Sequence, residues 1–405
     1  MTSMHLSRRS LLAGAAATAA FSLIGLPRKS AATETPLQIL TGPVLPVGNP
    51  HSPYDTWQLT QVQKTVNAFK SDPLALDSAV ATSSITSWNY YDLALSCYLL
   101  YHRTGDTAWR DAARTVAVAW RNNDLNSNAI ISVDGGIALY RAGQYWLNPP
   151  TKTIGRQIPP PRSFSTLGIA IHAVETGDTA SRSIVNEQAL LGERNWAQFI
   201  DGSVNDGMRE SAYSLMAMLS STLLGDDHRA TALVSLNGFL AGQKSDGRWE
   251  DTDTGGQVPA LHFTQAFMMG LVMESLIMYD RVIGDPRIIP ALTAATAYLW
   301  NTQWVPVVPK SSPRFGAFQY ANINSGTVNT NPYANLSGLI VPAWGYLYAK
   351  TGNTVYKTQG DAVISGMVAG GAQAAIPGSG IYDNKQSNQE FRSSPRYLGW
   401  TSGTP

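Results

Sequence analysis

The strongest constraint on this chain is a short punctuation mark that recurs five times: Thr104-Gly105-Asp106, Thr176-Gly177-Asp178, Leu224-Gly225-Asp226, Ile283-Gly284-Asp285 and Thr351-Gly352-Asn353. Glycine tolerates the left-handed backbone that closes a helix, and Asp or Asn accepts from the first free N–H groups of the next. Each mark therefore predicts the tip of a tight helical hairpin. The segments before the marks, 91–101, 215–224, 267–279 and 336–348, are apolar nearly all round. Those after them alternate faces, as in Trp109-Arg110-Asp111-Ala112-Ala113-Arg114. A helix apolar on every side is enclosed, and an amphipathic one faces water. The chain thus predicts repeated pairs of one inner and one outer helix, with a further N-terminal helix near 57–70.

Period-2 strands are scarce, with 130–133 and 315–320 the best small ones. Successive marks lie 48 to 72 residues apart, too unequal for an open solenoid. The expected fold class is all-α: a single closed (α/α) toroid of about five to six hairpins over 33–405, with minor β structure in its loops.

The first 32 residues read as a separate element. Arg8-Arg9 precede a mildly apolar Ala- and Gly-rich run, and Ser30-x-Ala32 makes a cleavage site. This is the pattern of a twin-arginine export signal, so the expected partner is the twin-arginine machinery and the expected location periplasmic or secreted. Removing 1–32 takes Arg8, Arg9, Arg28 and Lys29 and no acid, leaving 25 basic against 28 acidic side chains. A slightly acidic chain with 14% charged residues gives no footprint for nucleic acid, and its neutral hydrogen-bonding surface suits carbohydrate. No later stretch is long and apolar enough to span a membrane; 267–279 comes closest and is interrupted by Glu274. Cys97 is the sole cysteine and lies in an apolar run, where an inert buried thiol is expected. No metal site or cofactor is expected: there is no Cys-x-x-Cys, no His-x-x-x-His, no phosphate loop and no Gly-x-Ser-x-Gly elbow. A monomer is expected.

If every short turn lies at one end of the ring, the long aromatic connections all lie at the other. That end also receives the partly positive starts of the inner helices. Residues expected to converge there include Trp88, Asn89, Tyr90 and Asp92; Asp206, Arg209, Glu210 and Tyr213; His262; and Tyr333 and Asn335. Flat rings for sugar faces, with amides and acids for hydroxyls, make the lining of a sugar-binding cleft. Hairpins with Gly-Asp turns, long aromatic loops on one face and an export signal together resemble the (α/α) toroid carbohydrate-active enzymes, which include glycoside hydrolases and polysaccharide lyases. The resemblance implies an enzyme acting on a polysaccharide.

Hydrolysis needs two carboxylates about one glycosidic bond. Asp206 and Glu210 stand i, i+4 at a helix start, and Asp251 and Asp253 lie in the second acidic cluster, 246–256. From these four the acid and base are expected, with Trp88, Asn89, Tyr90, Asp92, Arg209, Tyr213, Trp249, His262 and Arg396 as substrate contacts. Asp206 as a plain helix cap, with Glu210 paired to Arg209, is the competing structural reading. Asp251-x-Asp253 also looks like the start of a calcium loop, and, with Gln243 to Trp249, like fragments of terpene-cyclase motifs. A lyase would use His262, Tyr90 or Tyr213 as base, with Asn89, Arg209 and Arg396 facing a uronate. A non-catalytic glycan-binding protein is the third reading. The polar run 384–397 reads either as a solvated closing segment or as a grip for a charged sugar.

Overall fold

The computed structural model describes residues 34–71, 91–125, 137–140, 144–147, 166–200, 207–253, 261–309, 314–323, 330–374 and 381–403. From Thr35 onward the chain forms one compact unit. Its elements are α1 (Pro36–Thr41), α2 (Pro53–Ser71), α3 (Leu93–Thr104), α4 (Thr107–Ala119), the strands β1 (Ile137–Tyr140) and β2 (Gln144–Leu147), α5 (Thr166–Thr176), α6 (Thr179–Ile200), α7 (Gly207–Leu223) and α8 (Arg229–Gly242). Then follow β3 (Asp251–Asp253), β4 (Leu261–Phe263), α9 (Ala266–Val282), α10 (Ile288–Tyr298), β5 (Trp304–Val305), β6 (Ala317–Phe318), α11 (Ser337–Ile340), α12 (Pro342–Thr351), α13 (Thr354–Ala374), α14 (Ile381–Phe391) and α15 (Ser394–Ser402).

Six inner elements close a ring. Helices α3, α5, α7, α9, α11 and α14 each pack on the next, and α14 packs back on α3. The outer layer is α2, α4, α6, α8, α10 and α13. The expected (α/α) toroid is therefore the observed architecture. Its inner helices are apolar on every side for the expected reason: Leu93–Leu95, Cys97–Leu100 and Leu215–Leu219 are shut between ring and axis.

All five punctuation glycines adopt positive φ, from 68° at Gly352 to 102° at Gly225, and each joins an inner helix, or at Gly352 the helix α12 that continues α11, to the following outer one. Asp106, Asp178, Asp285 and Asn353 then accept from backbone N–H groups of the outer helix at 2.9 to 3.1 Å. At the third mark the cap is shifted by one residue. Asp227 accepts from Arg229 N–H, and Asp226 instead pairs with Arg182 across the turn.

Every strand falls in an outer-to-inner connection, as two-stranded antiparallel hairpins β1-β2, β3-β4 and β5-β6. The 315–320 expectation matches β6, while 130–133 lies outside the described residues.

Two features differ from expectation. The polar run near the C-terminus is not a solvated tail: Ser387 to Arg392 are buried, and α14 is the sixth inner wall of the ring. Two of the run's polar residues meet partners on other inner helices: Arg392 faces Glu274, and Ser393 donates to Gly338 O. The turn end of the ring is also sealed. Residues from Gln38 to Val47 cross it, held by guanidiniums that donate to their carbonyls: Arg281 to Gln38 and Ile39, Arg396 to Leu40 and Thr41, and Arg103 to Leu45. No helix among the described residues is long and apolar enough to cross a membrane.

Candidate functional site: the open mouth of the toroid

With the turn end sealed, one end of the axis is left for a ligand. The small space beside the seal, lined by Leu40, Leu167, Met216, Ile277, Arg396 and Trp400, measures about 20 Å³. That holds roughly one water and no sugar.

The floor of the mouth is built from the starts of the inner helices. Tyr91 and Asp92 precede α3 with φ of 69° and 72°, two successive non-glycine residues in the left-handed region, a costly conformation. Asp92 explains how they are held. Its Oδ1 accepts from Leu95 N–H at 3.0 Å and its Oδ2 from Gly168 N–H at 2.9 Å, so one carboxylate caps α3 and ties it to α5. Burial pushes its carboxyl above the ordinary value, against the pull of those two N–H groups and of Arg392. An acid on an apolar inner helix must be bonded or perturbed, and Asp92 is both. Its acceptor sites are filled by backbone, however, which leaves Asp92 shaping the floor rather than facing a ligand.

On α7, Arg209 and Glu210 are buried side by side, with Arg209 Nη2 donating to Glu210 Oε1 at 3.2 Å. About one turn further along, Tyr213 lies under the guanidinium of Arg392, whose carbon is 5.6 Å from the ring centre. Arg392 comes from the bend between α14 and α15, and its Nη1 is 3.0 Å from Oε2 of Glu274 on α9. The other oxygen of Glu274 accepts from Arg396 at 2.7 Å. Glu274 is thus the centre of an Arg–Glu–Arg triad on the axis, with the floor above and the seal below.

Several expected contacts lie elsewhere. Trp249 is 3% exposed, and its indole N–H donates to Phe239 O, which makes it a packing residue rather than a sugar platform. Arg396 faces the seal, so its guanidinium is spent on Glu274, Leu40 and Thr41. Asp251 is buried and accepts from Met208 N–H, locking the β3-β4 hairpin onto the first turn of α7. Asp246 and Glu250 of that loop are paired as well. Arg248 reaches both Asp246 and Glu250, Lys244 adds to Glu250, and these cations hold Glu250 below the usual carboxylate range although burial works the other way. Gln243 donates to Gly247 O and Ala291 O, and so staples the loop to α10.

His262 is exposed opposite Thr252 in the same hairpin. Trp88, Asn89, Tyr90 and Asp206 lie outside the described residues, as does the side chain of Asp253. An exposed aromatic at the mouth is Tyr333, 38% exposed just before α11 and edge-on to Tyr320.

The structure therefore brings together Tyr91, Asp92, Arg209, Glu210, Tyr213, Glu274 and Arg392. Glu274 and Arg392 were missed as site residues. The signal for Glu274 was present: it is the single charge in the run 267–279, and a lone acid in an enclosed helix must be paired.

The (α/α) toroid is also found in solved structures. An unsaturated glucuronyl hydrolase specific for heparin matches over 86% of this chain and 99% of its own, at 11% identity and a TM-score of 0.50. The fold is that of the (α/α) toroid glycoside hydrolases. Weaker likenesses are an unsaturated glucuronyl hydrolase from Streptococcus agalactiae (13% identity, 91% and 96% coverage, TM-score 0.48) and an inactive α-1,6-mannanase variant of Salegentibacter sp. HEL1_6 in complex with α-1,6-mannotetrose (10%, 84% and 98%, 0.46). No family model and no curated protein matches the sequence.

Proposed function

We propose that this chain is an exported glycoside hydrolase that cleaves a polysaccharide at the open mouth of its toroid. The observation that carries the reading is the convergence of Arg209, Glu210, Tyr213, Tyr91 and Arg392 on the end of the axis that no described residue seals. A toroid needs only apolar side chains to hold its ring, so a buried ionic floor at the open end is the part of the molecule suited to chemistry. The toroid hydrolase fold supports the same reading.

In the mechanism proposed, Glu210, which accepts from the adjacent Arg209, is the carboxylate that acts as nucleophile or base. The proton donor is drawn from Asp206, Asp251 and Asp253. Asp206 is favoured on its i, i+4 spacing from Glu210 in the sequence. The acid protonates the leaving oxygen while Glu210 attacks the sugar directly or activates a water. Tyr213, Tyr333 and His262 contact sugar, and Trp88, Asn89 and Tyr90 precede the same wall in the chain.

The test is an assay of reducing ends released from a polysaccharide panel by the mature protein, with Glu210→Gln and Asp206→Asn alongside. Each replacement is expected to cost roughly 10²- to 10⁴-fold in rate; full activity in both overturns the assignment. Products absorbing in the near ultraviolet would instead indicate a lyase, and glycan binding without new reducing ends a binding protein. Export through the twin-arginine route predicts that Arg8→Lys/Arg9→Lys leaves the protein in the cytoplasm.

A further inference from the structure

The two guanidiniums that share Glu274 are not equivalent. Arg396 is saturated: Nη1 meets Glu274 Oε1, Nε donates to Thr41 O at 3.0 Å and Nη2 to Leu40 O at 2.7 Å. Arg392 is not. It is 2% exposed, its Nη1 makes an ion-pair contact with Glu274 Oε2 outside hydrogen-bond geometry, and its Nε is buried with no acceptor among the described residues.

A buried guanidinium N–H with no acceptor is costly, and such groups are rare unless something else fills them. The groups that face Arg392 do not fill it. Glu274 divides its carboxylate between two cations. Asp92 is within electrostatic reach, but its oxygens accept from Leu95 and Gly168 N–H. Tyr213 offers its ring face, Tyr91 is a second neutral neighbour, and Arg396 is another cation. Arg392 therefore keeps a buried N–H edge without an acceptor among the described residues, set among residues from the mouth ends of α3 and α7. The edge of Arg392 that includes Nε is the one that accepts a planar carboxylate through two parallel hydrogen bonds.

We propose that Arg392 anchors an anion subsite at the floor of the mouth, and that the anion is the carboxylate of an acidic sugar in the glycan. This rests on the glycan-cleaving reading above and names its substrate class.

The chemistry is shared by carboxylate and sulfate esters on sugars, so the experiment separates them. Binding of the mature protein is measured by calorimetry against oligosaccharides of galacturonate, glucuronate and mannuronate, each beside its carboxyl-reduced counterpart, and against a sulfated galactan oligosaccharide and neutral cello- and manno-oligosaccharides. At least one uronate is expected to bind roughly ten-fold or more tighter than its reduced form. Arg392→Gln is expected to bring that ratio to near unity, with Arg392→Lys between the two. Should Arg392→Gln fail to fold, the ratio in the unmodified protein and its decline in Arg392→Lys carry the test. Equal binding of every acid and its reduced form overturns the inference. So does a uronate preference that survives Arg392→Gln in a folded protein, or Arg392-dependent binding of the sulfated sugar alone. Neutral glycans bound and cleaved without any acidic one would overturn the subsite and leave the glycosidase reading standing, whereas no binding to any sugar would overturn both.

Discussion

Replacing Glu274 with glutamine keeps the shape of the axial triad and removes its only negative charge. Glu274 Oε1 lies 2.7 Å from Arg396 and Oε2 lies 3.0 Å from Arg392, and all three side chains are at least nine-tenths buried. The small values typical of surface pairs therefore do not apply. Removing one partner of a buried pair costs about 3–5 kcal/mol, because the remaining charge is left desolvated. Here one carboxylate serves two cations, which places Glu274→Gln near the upper end. For a compact unit of this length, unfolding entropy is on the order of 0.8 kcal/mol per degree, so the midpoint of thermal unfolding should fall by roughly 5–6 °C. The assay is a melting curve by circular dichroism at neutral pH. Adding Arg392→Met to Glu274→Gln removes one orphaned guanidinium and should recover part of the loss, a coupling a double-mutant cycle reads directly. A midpoint within about 1 °C of the parent would refute the claim that the triad is a dry, interdependent ion cluster.

Gly168→Ala should be destabilising by roughly 1–3 kcal/mol, because the new Cβ would sit 2.4 Å from Asp92 Oδ1 and 2.7 Å from Ala94 Cβ where α5 meets α3; urea unfolding measures it. Asp55→Asn should lower stability at pH 7 through loss of the pairing with Arg103. Burial alone would raise Asp55, but Arg103 and Ser52 outweigh it and hold its carboxyl below the ordinary 3.8. Its contribution is therefore complete above that value and disappears as pH falls through the lower folded one, so parent and variant melting curves should converge in acid. Cys97 is fully buried and its thiol is pushed well above the ordinary range by burial; it should resist a thiol reagent in the native protein and react fully in denaturant.

How much of this was legible in the sequence follows from how local each signal is. A Gly-Asp turn is decided within four residues, by the left-handed requirement at Gly105 or Gly352 and by the reach of the capping oxygen. All five were readable, and with them the order of inner and outer helices. Even the slip from Asp226 to Asp227 is a one-residue ambiguity between neighbouring carboxylates, settled by Arg182 on another helix. Contacts set by the closed ring were not readable. Trp249 among four acids looks like a platform in one dimension, and its burial under Phe239 depends on the fold-back of the loop onto α8. The run 384–397 looks solvated by composition because its partners, Glu274 and the carbonyls of Leu40 and Thr41, are more than a hundred residues away in the chain.

The same long-range logic accounts for where the polar residues are. A ring of six inner helices encloses an axis that must be filled or opened. At the turn end it is filled: α1 and α15 cross it, and Arg281, Arg396 and Arg103 satisfy backbone carbonyls that would otherwise be stranded away from water. At the other end nothing in the described chain plugs the axis, and the inner surface changes from leucine and methionine to Tyr91, Asp92, Arg209, Glu210, Tyr213 and Arg392. Glu274 stands at that boundary and pairs with one cation on each side. The triad therefore couples the seal to the floor: loosening Arg396 from Glu274 removes the counter-charge geometry that also places Arg392, so a change in the strap from Gln38 to Val47 should be felt at the mouth, although no strap residue reaches it.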